Sequence, residues 1–372
     1  MTSRRDFLRQ TFGGAGVMFC ACGAAHEAEA QWLGAPDIRH HHLPAMIGGK
    51  RVRSIDMHAH CYFAPALIAM FGQVEGHTPP VKGVPEHFIP ASDTAAVQAR
   101  LKAMDTMGVD LAVLSSNPFW YTADRERSQK VVRIHNDALA ELTAAHPDRF
   151  AGFAGLSLQH PDLAVQELED AVRKGLKGAA IGGHVEGMDF SDPSLHPVWA
   201  KAQALDVPLF IHPISPPELD KRFKGNGWLS NTIGNPLDTT IALEHLIMQG
   251  TLDRFPDLKI IAAHGGGYLP SYAERMDHPC YVSPTSCDAS IKLKMRPTDY
   301  LKKIYYDVLV FSPEALRHLI AEVGVSQLVL GTDAPIPWEE YPLDLIYRSK
   351  FLTDKQRRAI IHDTAAKLLK LA

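Results

Sequence analysis

An excess of charge of either sign is what this sequence lacks first. Its 38 Lys and Arg nearly balance 42 Asp and Glu, leaving a net −4 over 372 residues. That removes the electrostatic case for nucleic-acid binding. Cysteine is scarce as well. Of the five, Cys20 and Cys22 lie near the N-terminus, and Cys61, Cys280 and Cys287 are odd in number and widely spread, which excludes a disulfide framework. Cys280 and Cys287 either pair in an oxidising compartment or stay as free thiols. No Gly-x-Gly-x-x-Gly turn follows any apolar run, which argues against a dinucleotide-binding open sheet.

What is present begins with an address. Ser3-Arg4-Arg5-Asp6-Phe7-Leu8-Arg9 has the form of a twin-arginine export signal. An apolar stretch over 12–25 follows, too short and Gly-rich to span a membrane, and then Ala28-Glu29-Ala30, which has the small-x-small form of a cleavage site. The expected organisation is a leader over 1–30, a linker over 31–52 carrying the run His40, His41 and His42, and one catalytic domain over 53–372. The expected location is the periplasm or beyond. The twin-arginine translocase is the export partner, and no membrane attachment remains after processing.

From Val52 onward, short apolar runs alternate with amphipathic stretches. Strands are expected at 52–57, 109–115, 149–156, 177–182, 207–212, 258–264, 304–310 and 327–332. Helices are expected at 93–107, 128–145, 162–174, 193–205, 237–249, 270–276, 313–323 and 354–369. Near-continuous apolar strands alternating with helices imply a parallel sheet covered on both faces. Eight such units point to an α/β fold of the closed (β/α)₈ TIM-barrel type, with an open doubly wound sheet as the competitor. Long connections after the first and fifth strands read as lids over the barrel mouth.

The polar residues fall on that frame in one place. His58 and His60 end the first strand, spaced i, i+2 so that both imidazoles face one point. His184 lies just past the fourth strand, His212 ends the fifth, His264 the sixth, and Asp333 the eighth. All sit at the C-terminal ends of barrel strands, where this fold builds active sites. Three imidazoles and a carboxylate suit Zn²⁺, with Fe²⁺, Mn²⁺ or Co²⁺ as alternatives. The cluster permits His58, His60, His212 and Asp333 as ligands around an open position for water. His264 is then left over to take a proton from that water, whose pKa a metal lowers to about 7. A second metal would need a bridging carboxylated lysine, and Lys177 starts its strand at the wrong end.

The order Asp56-x-His58-x-His60, Phe210-Ile-His212-Pro213, Ala263-His264-Gly-Gly-Gly267 and Gly331-Thr332-Asp333-x-Pro335 resembles the amidohydrolase superfamily. Within it, the chain resembles the branch typified by 2-amino-3-carboxymuconate 6-semialdehyde decarboxylase. Gly183-His184-Val185, Trp228-Leu229-x4-Gly234-x-Pro236 and Arg254-Phe255-Pro256-x-Leu258-Lys259 extend the likeness over most of the chain. The resemblance implies one Zn²⁺ on His58, His60, His212 and Asp333, with His264 as acid/base and Asp333 as both ligand and proton partner. It implies a homodimer in which Arg275 reaches a substrate carboxylate across the interface, with His184 as a further substrate contact.

Two departures bear on the substrate. No arginine occurs between Cys61 and Ala99, where the family places a second one, and Asn231 stands where an aromatic is expected three residues after Trp228. A small unsaturated or aromatic acid with fewer anionic groups is therefore expected, with Lys82 the only cation that could replace the missing arginine in its loop. The reaction implied is decarboxylation. Hydrolysis of an amide, ester or lactone uses the same ligands and is the alternative. An exported metal-binding protein without turnover is the third reading, and the surplus His264 argues against it.

Overall fold

The structure is a computed structural model that describes residues 44–72, 94–336, 338 and 341–371. The leader, His40 to His42, Cys20, Cys22 and Lys82 lie outside the described residues. The end of the expected linker is ordered: β1 (Met46–Ile47) and β2 (Lys50–Arg51) pair as an antiparallel hairpin. Ala45 beside it is fully buried, and the Met46 amide donates to the Tyr347 hydroxyl.

Eight parallel strands follow, one for each expected run. The first arc holds β3 (Ile55–His60), β4 (Leu111–Ser115) and β5 (Phe150–Gly152). The second runs β6 (Ala179–Ile181), β7 (Pro208–Ile211), β8 (Lys259–Ala262), β9 (Tyr305–Asp307) and β10 (Leu328–Val329). Parallel bridges join the arcs at both seams: Ala154 with Ala179, and Asp56 and Ala59 with Leu330 and Ala334. The barrel is thereby closed, in the (β/α)₈ order.

Alternate strand residues divide between two apolar clusters, as a pleated wall requires. Ile55, Met57, Leu111, Val113, Phe153, Phe210, Ile261 and Val329 fill the interior. Ala112, Leu114, Leu209, Ile211, Ile260 and Ala262 face outward under the helices. Leu368 and Leu369, from the terminal helix Thr364–Leu369, belong to the interior cluster and plug the N-terminal end.

The helices depart from the expected ranges where the winding changes. The stretch expected as one helix over 354–369 is Asp354–Arg358, a π turn at Ala359–Asp363, and Thr364–Leu369. The segment over 270–276 winds as a 3₁₀ helix, Pro270–Asp277, kinked at Tyr272. Helices Ala64–Phe71 and Pro342–Arg348 were not expected. Beyond the 3₁₀ segment, Cys280 and Cys287 form a disulfide, and Cys61 is a buried free thiol.

Candidate metal centre and active site

A bulge in β3 creates the site. The register with β4 shifts between Asp56 and Ala59, so one extra residue interrupts the alternation. Ile55 and Met57 point into the barrel core, and after the bulge the same inward face carries His58 and His60. Without it, simple alternation would leave both histidines on the opposite face from Met57.

Ligand atoms of His58, His212, His264 and Asp333 lie within 4.8 Å of one another. His60 joins through Asp333, with Nε2 2.7 Å from Oδ1. From the same oxygen, His58 Nε2 is 3.1 Å away and His212 Nε2 3.8 Å. His264 Nε2 lies 3.5 Å from the other oxygen, Oδ2. The far nitrogens of two rings are already engaged: His58 Nδ1 donates to Asp307 at 2.7 Å, and His212 Nδ1 donates to the Pro213 carbonyl at 3.0 Å. That tautomer turns both Nε2 lone pairs toward a carboxylate, and acceptors so close together need a cation between them. Neither Nε2 has a hydrogen-bond partner among the described residues.

Electrostatics agree. Burial keeps His60 and His212 from charging and lowers both pKa values. Burial works against Asp333 too, yet the His58 imidazole and the neighbouring rings of His212 and His264 hold it well below the usual carboxylate range. On His58, burial opposes charge, but Asp333 and Asp307 keep its pKa at about 10. The residues fit a divalent metal.

Two carboxylates absent from the expected set hold these groups in place. Asp307, fully buried at the end of β9, accepts from His58 Nδ1 and from the backbone amides of His264, Gly265 and Leu309, at 2.7–3.1 Å. It therefore fixes the His58 ring and the His264 turn together. Asp56 accepts from the His58 and Thr332 amides at 3.0 and 3.1 Å and from the Thr332 hydroxyl at 2.6 Å, tying the Asp333 segment to β3. Burial raises the Asp56 pKa to about 6. Each is a lone carboxylate in an apolar strand, the signal by which the sequence marks them.

His264 and Asp333 both have left-handed backbones, φ +55° and +59°, a strained state for residues with side chains. Gly265, Gly266 and Gly267 continue the turn after His264, all at positive φ, and a Cβ on Gly267 would stand 2.1 Å from the Pro236 carbonyl oxygen.

The other expected residues are placed differently. His184 is not in the cluster; its Nδ1 donates to Asp238 at 2.9 Å, and although burial opposes charge, that carboxylate raises its pKa. Arg275 is exposed on the 3₁₀ segment, makes no ion pair among the described residues, and lines no part of its own chain's site. Beside His264 opens a chamber of about 360 Å³, reaching past Leu309 and Phe311 to His318 and Trp338. Among the described residues, His264 alone belongs to both the ligand cluster and this chamber.

Residues 40–371 match the family model described as Amidohydrolase. The 2-amino-3-carboxymuconate-6-semialdehyde decarboxylase of Dictyostelium discoideum is 32% identical over 276 residues, 73% of this chain and 76% of the relative. The gamma-resorcylate decarboxylase of Polaromonas sp. strain JS666 is 31% identical over 305 residues, 76% of this chain and 93% of the relative. The structure of a dihydroxybenzoic acid decarboxylase from Polaromonas sp. JS666, with manganese and the inhibitor 2-nitroresorcinol bound, superposes with a TM-score of 0.72. It is 28% identical, covering 86% of this chain and 97% of that one. With its closed barrel, its histidine and aspartate cluster at the strand ends and these matches, the chain belongs to the amidohydrolase family, in the branch that contains these decarboxylases.

Proposed function

We propose that this enzyme removes CO₂ non-oxidatively from a small aromatic acid. The observation that carries the reading is the position of His264, between a cation site and a chamber able to take a ring. The decarboxylase relatives and the dihydroxy aromatic inhibitor in the Polaromonas structure support it.

His58, His60, His212 and Asp333 would hold one ion, zinc by the donor set, with manganese as the precedent in the Polaromonas enzyme. When bound, it supplies a Lewis acid that draws charge from the substrate's oxygens. His264 is the most exposed member of the cluster, at 15% for its side chain, and so is the group free to meet substrate. It delivers a proton to the ring carbon that bears the carboxylate. As the carbon–carboxyl bond breaks, its electron pair stays on that carbon and forms the new C–H bond, and CO₂ departs. Asp333, 3.5 Å away, steadies the imidazole as it gains and loses charge.

The test is CO₂ release from hydroxybenzoates in D₂O, by chelator-stripped protein and by protein reloaded with Zn²⁺ or Mn²⁺. Metal-dependent CO₂ with deuterium at the vacated ring position is expected. Turnover of amides or lactones with no CO₂ from any acid would replace this reading with hydrolysis.

Two further assignments accompany it. The mature enzyme is an exported homodimer, and the exposed Arg275 binds a carboxylate only in a second subunit's site. The Cys280–Cys287 disulfide suits an oxidising compartment. Changing Arg4 and Arg5 to Lys should leave unprocessed protein in the cytoplasm, and mature periplasmic protein from that variant would contradict the export route.

A further inference from the structure

The peptide unit between Pro213 and Ile214 is held from both sides. Its carbonyl accepts from His212 Nδ1 at 3.0 Å, and its amide donates to Asp238 Oδ2 at 2.9 Å. A planar peptide points those two groups in opposite directions, so fixing the amide fixes the carbonyl. Asp238 lies in the first turn of the helix Asn235–Met248 and is 2% exposed. A carboxylate in a first turn suits the helix dipole on any surface. The dipole does not account for its burial, which costs stability unless the oxygens are met. Here both are met: Oδ2 takes the Ile214 amide, and Oδ1 takes His184 Nδ1 at 2.9 Å. One side chain thereby joins the segment after β6 to the segment after β7.

Gly183 makes room for it. A Cβ there would stand 2.2 Å from Asp238 Oδ2 and 2.4 Å from Cγ. The Gly183 φ does not lie in the left-handed region, so its backbone would accept an alanine. The space is kept for the carboxylate.

We infer that Asp238 is a positioning residue for His212, acting through the Pro213–Ile214 peptide. Asp307 meets the His58 ring directly, and Asp238 does the same for His212 at one remove. By turning the Pro213 carbonyl onto Nδ1, it sets the tautomer and ring rotation that aim the unpartnered Nε2 at Asp333. His184, outside the ligand cluster, holds the other oxygen and keeps the carboxylate on the amide. The inference rests on the cation site of the proposed function and on no choice of reaction.

Its test is metal affinity by chelator competition, with hydrogen exchange at the Ile214 amide read alongside. Asp238→Ala should weaken metal binding about 10–100-fold. Asp238→Asn should stay within about threefold of wild type, because its carboxamide oxygen still accepts from Ile214 while its NH₂ meets the other tautomer of His184. Gly183→Ala leaves every hydrogen-bonding group in place and pushes the carboxylate aside. It should weaken binding about tenfold on its own and add nothing in the Asp238→Ala background, where no carboxylate remains to be displaced. Equal Gly183→Ala penalties in the two backgrounds, or wild-type affinity in folded Asp238→Ala, overturn the assignment. Should Asp238→Ala not fold, undiminished affinity in Gly183→Ala overturns it as well. If wild type takes up no ion, the cation site falls by itself and exchange decides for Asp238. The Ile214 amide should then exchange about tenfold faster in Gly183→Ala than in wild type, and unchanged exchange overturns the tie.

Discussion

Met57 and His58 are adjacent in the chain, both fully buried, and they belong to opposite halves of the barrel interior. Below the bulge, Met57 meets Val113, Phe153, Ile261 and Val329, and every surface there is satisfied by apolar contact. Above it, His58 meets His60, His212, His264 and Asp333, and imidazole nitrogens crowd around one carboxylate. Equal burial therefore carries opposite meanings. The lower half stabilises the fold, and the upper half is held in an arrangement the fold would not choose for its own stability. His264 and Asp333, both in the upper half, also carry left-handed backbones.

That contrast can be broken residue by residue. The largest effect belongs to the reacting group: His264→Ala should keep its metal and lose about 10²–10⁴-fold in kcat. Normal turnover by the metal-replete variant would remove His264 from the chemistry. On the lower side, Phe153→Ala should cost about 3–5 kcal/mol in denaturant unfolding while the folded protein keeps its full metal content. Loss of metal from that variant would mean the two halves are not separable. Between the halves stands Asp307, which holds His58 and the His264 turn at once. Asp307→Asn preserves the shape and removes the charge, and metal affinity should fall by about 10–100-fold in a chelator competition. Unchanged affinity there would leave Asp307 with a purely structural part.

How much of this the sequence discloses follows the same division. The eight apolar runs are visible because a strand covered on both faces must be apolar, and the ligands are visible because His and Asp are conspicuous at the ends of such runs. The structure places His58, His212, His264 and Asp333 in one cluster, and His60 against Asp333. Asp56 and Asp307 were passed over because they touch the ligands from behind, and only the fold brings β9 beside β3's histidine. The bulge leaves no sequence signal, since an extra residue in an apolar run still reads as an apolar run. The helix interruption at 359–363 was hidden for a related reason: a π turn keeps helical composition and changes only the winding. Arg275 was identified by its place after the glycine turn, and that place proves to be on the outside of its own chain.

The central claim, that the barrel mouth is shaped around a single cation, is most directly tested by elemental analysis of purified wild type beside His212→Ala. The account predicts about one divalent ion per wild-type chain and loss of most of it in the variant, since His212 supplies a buried nitrogen that nothing else in the cluster replaces. Full occupancy in His212→Ala, or two ions per wild-type chain, would contradict it.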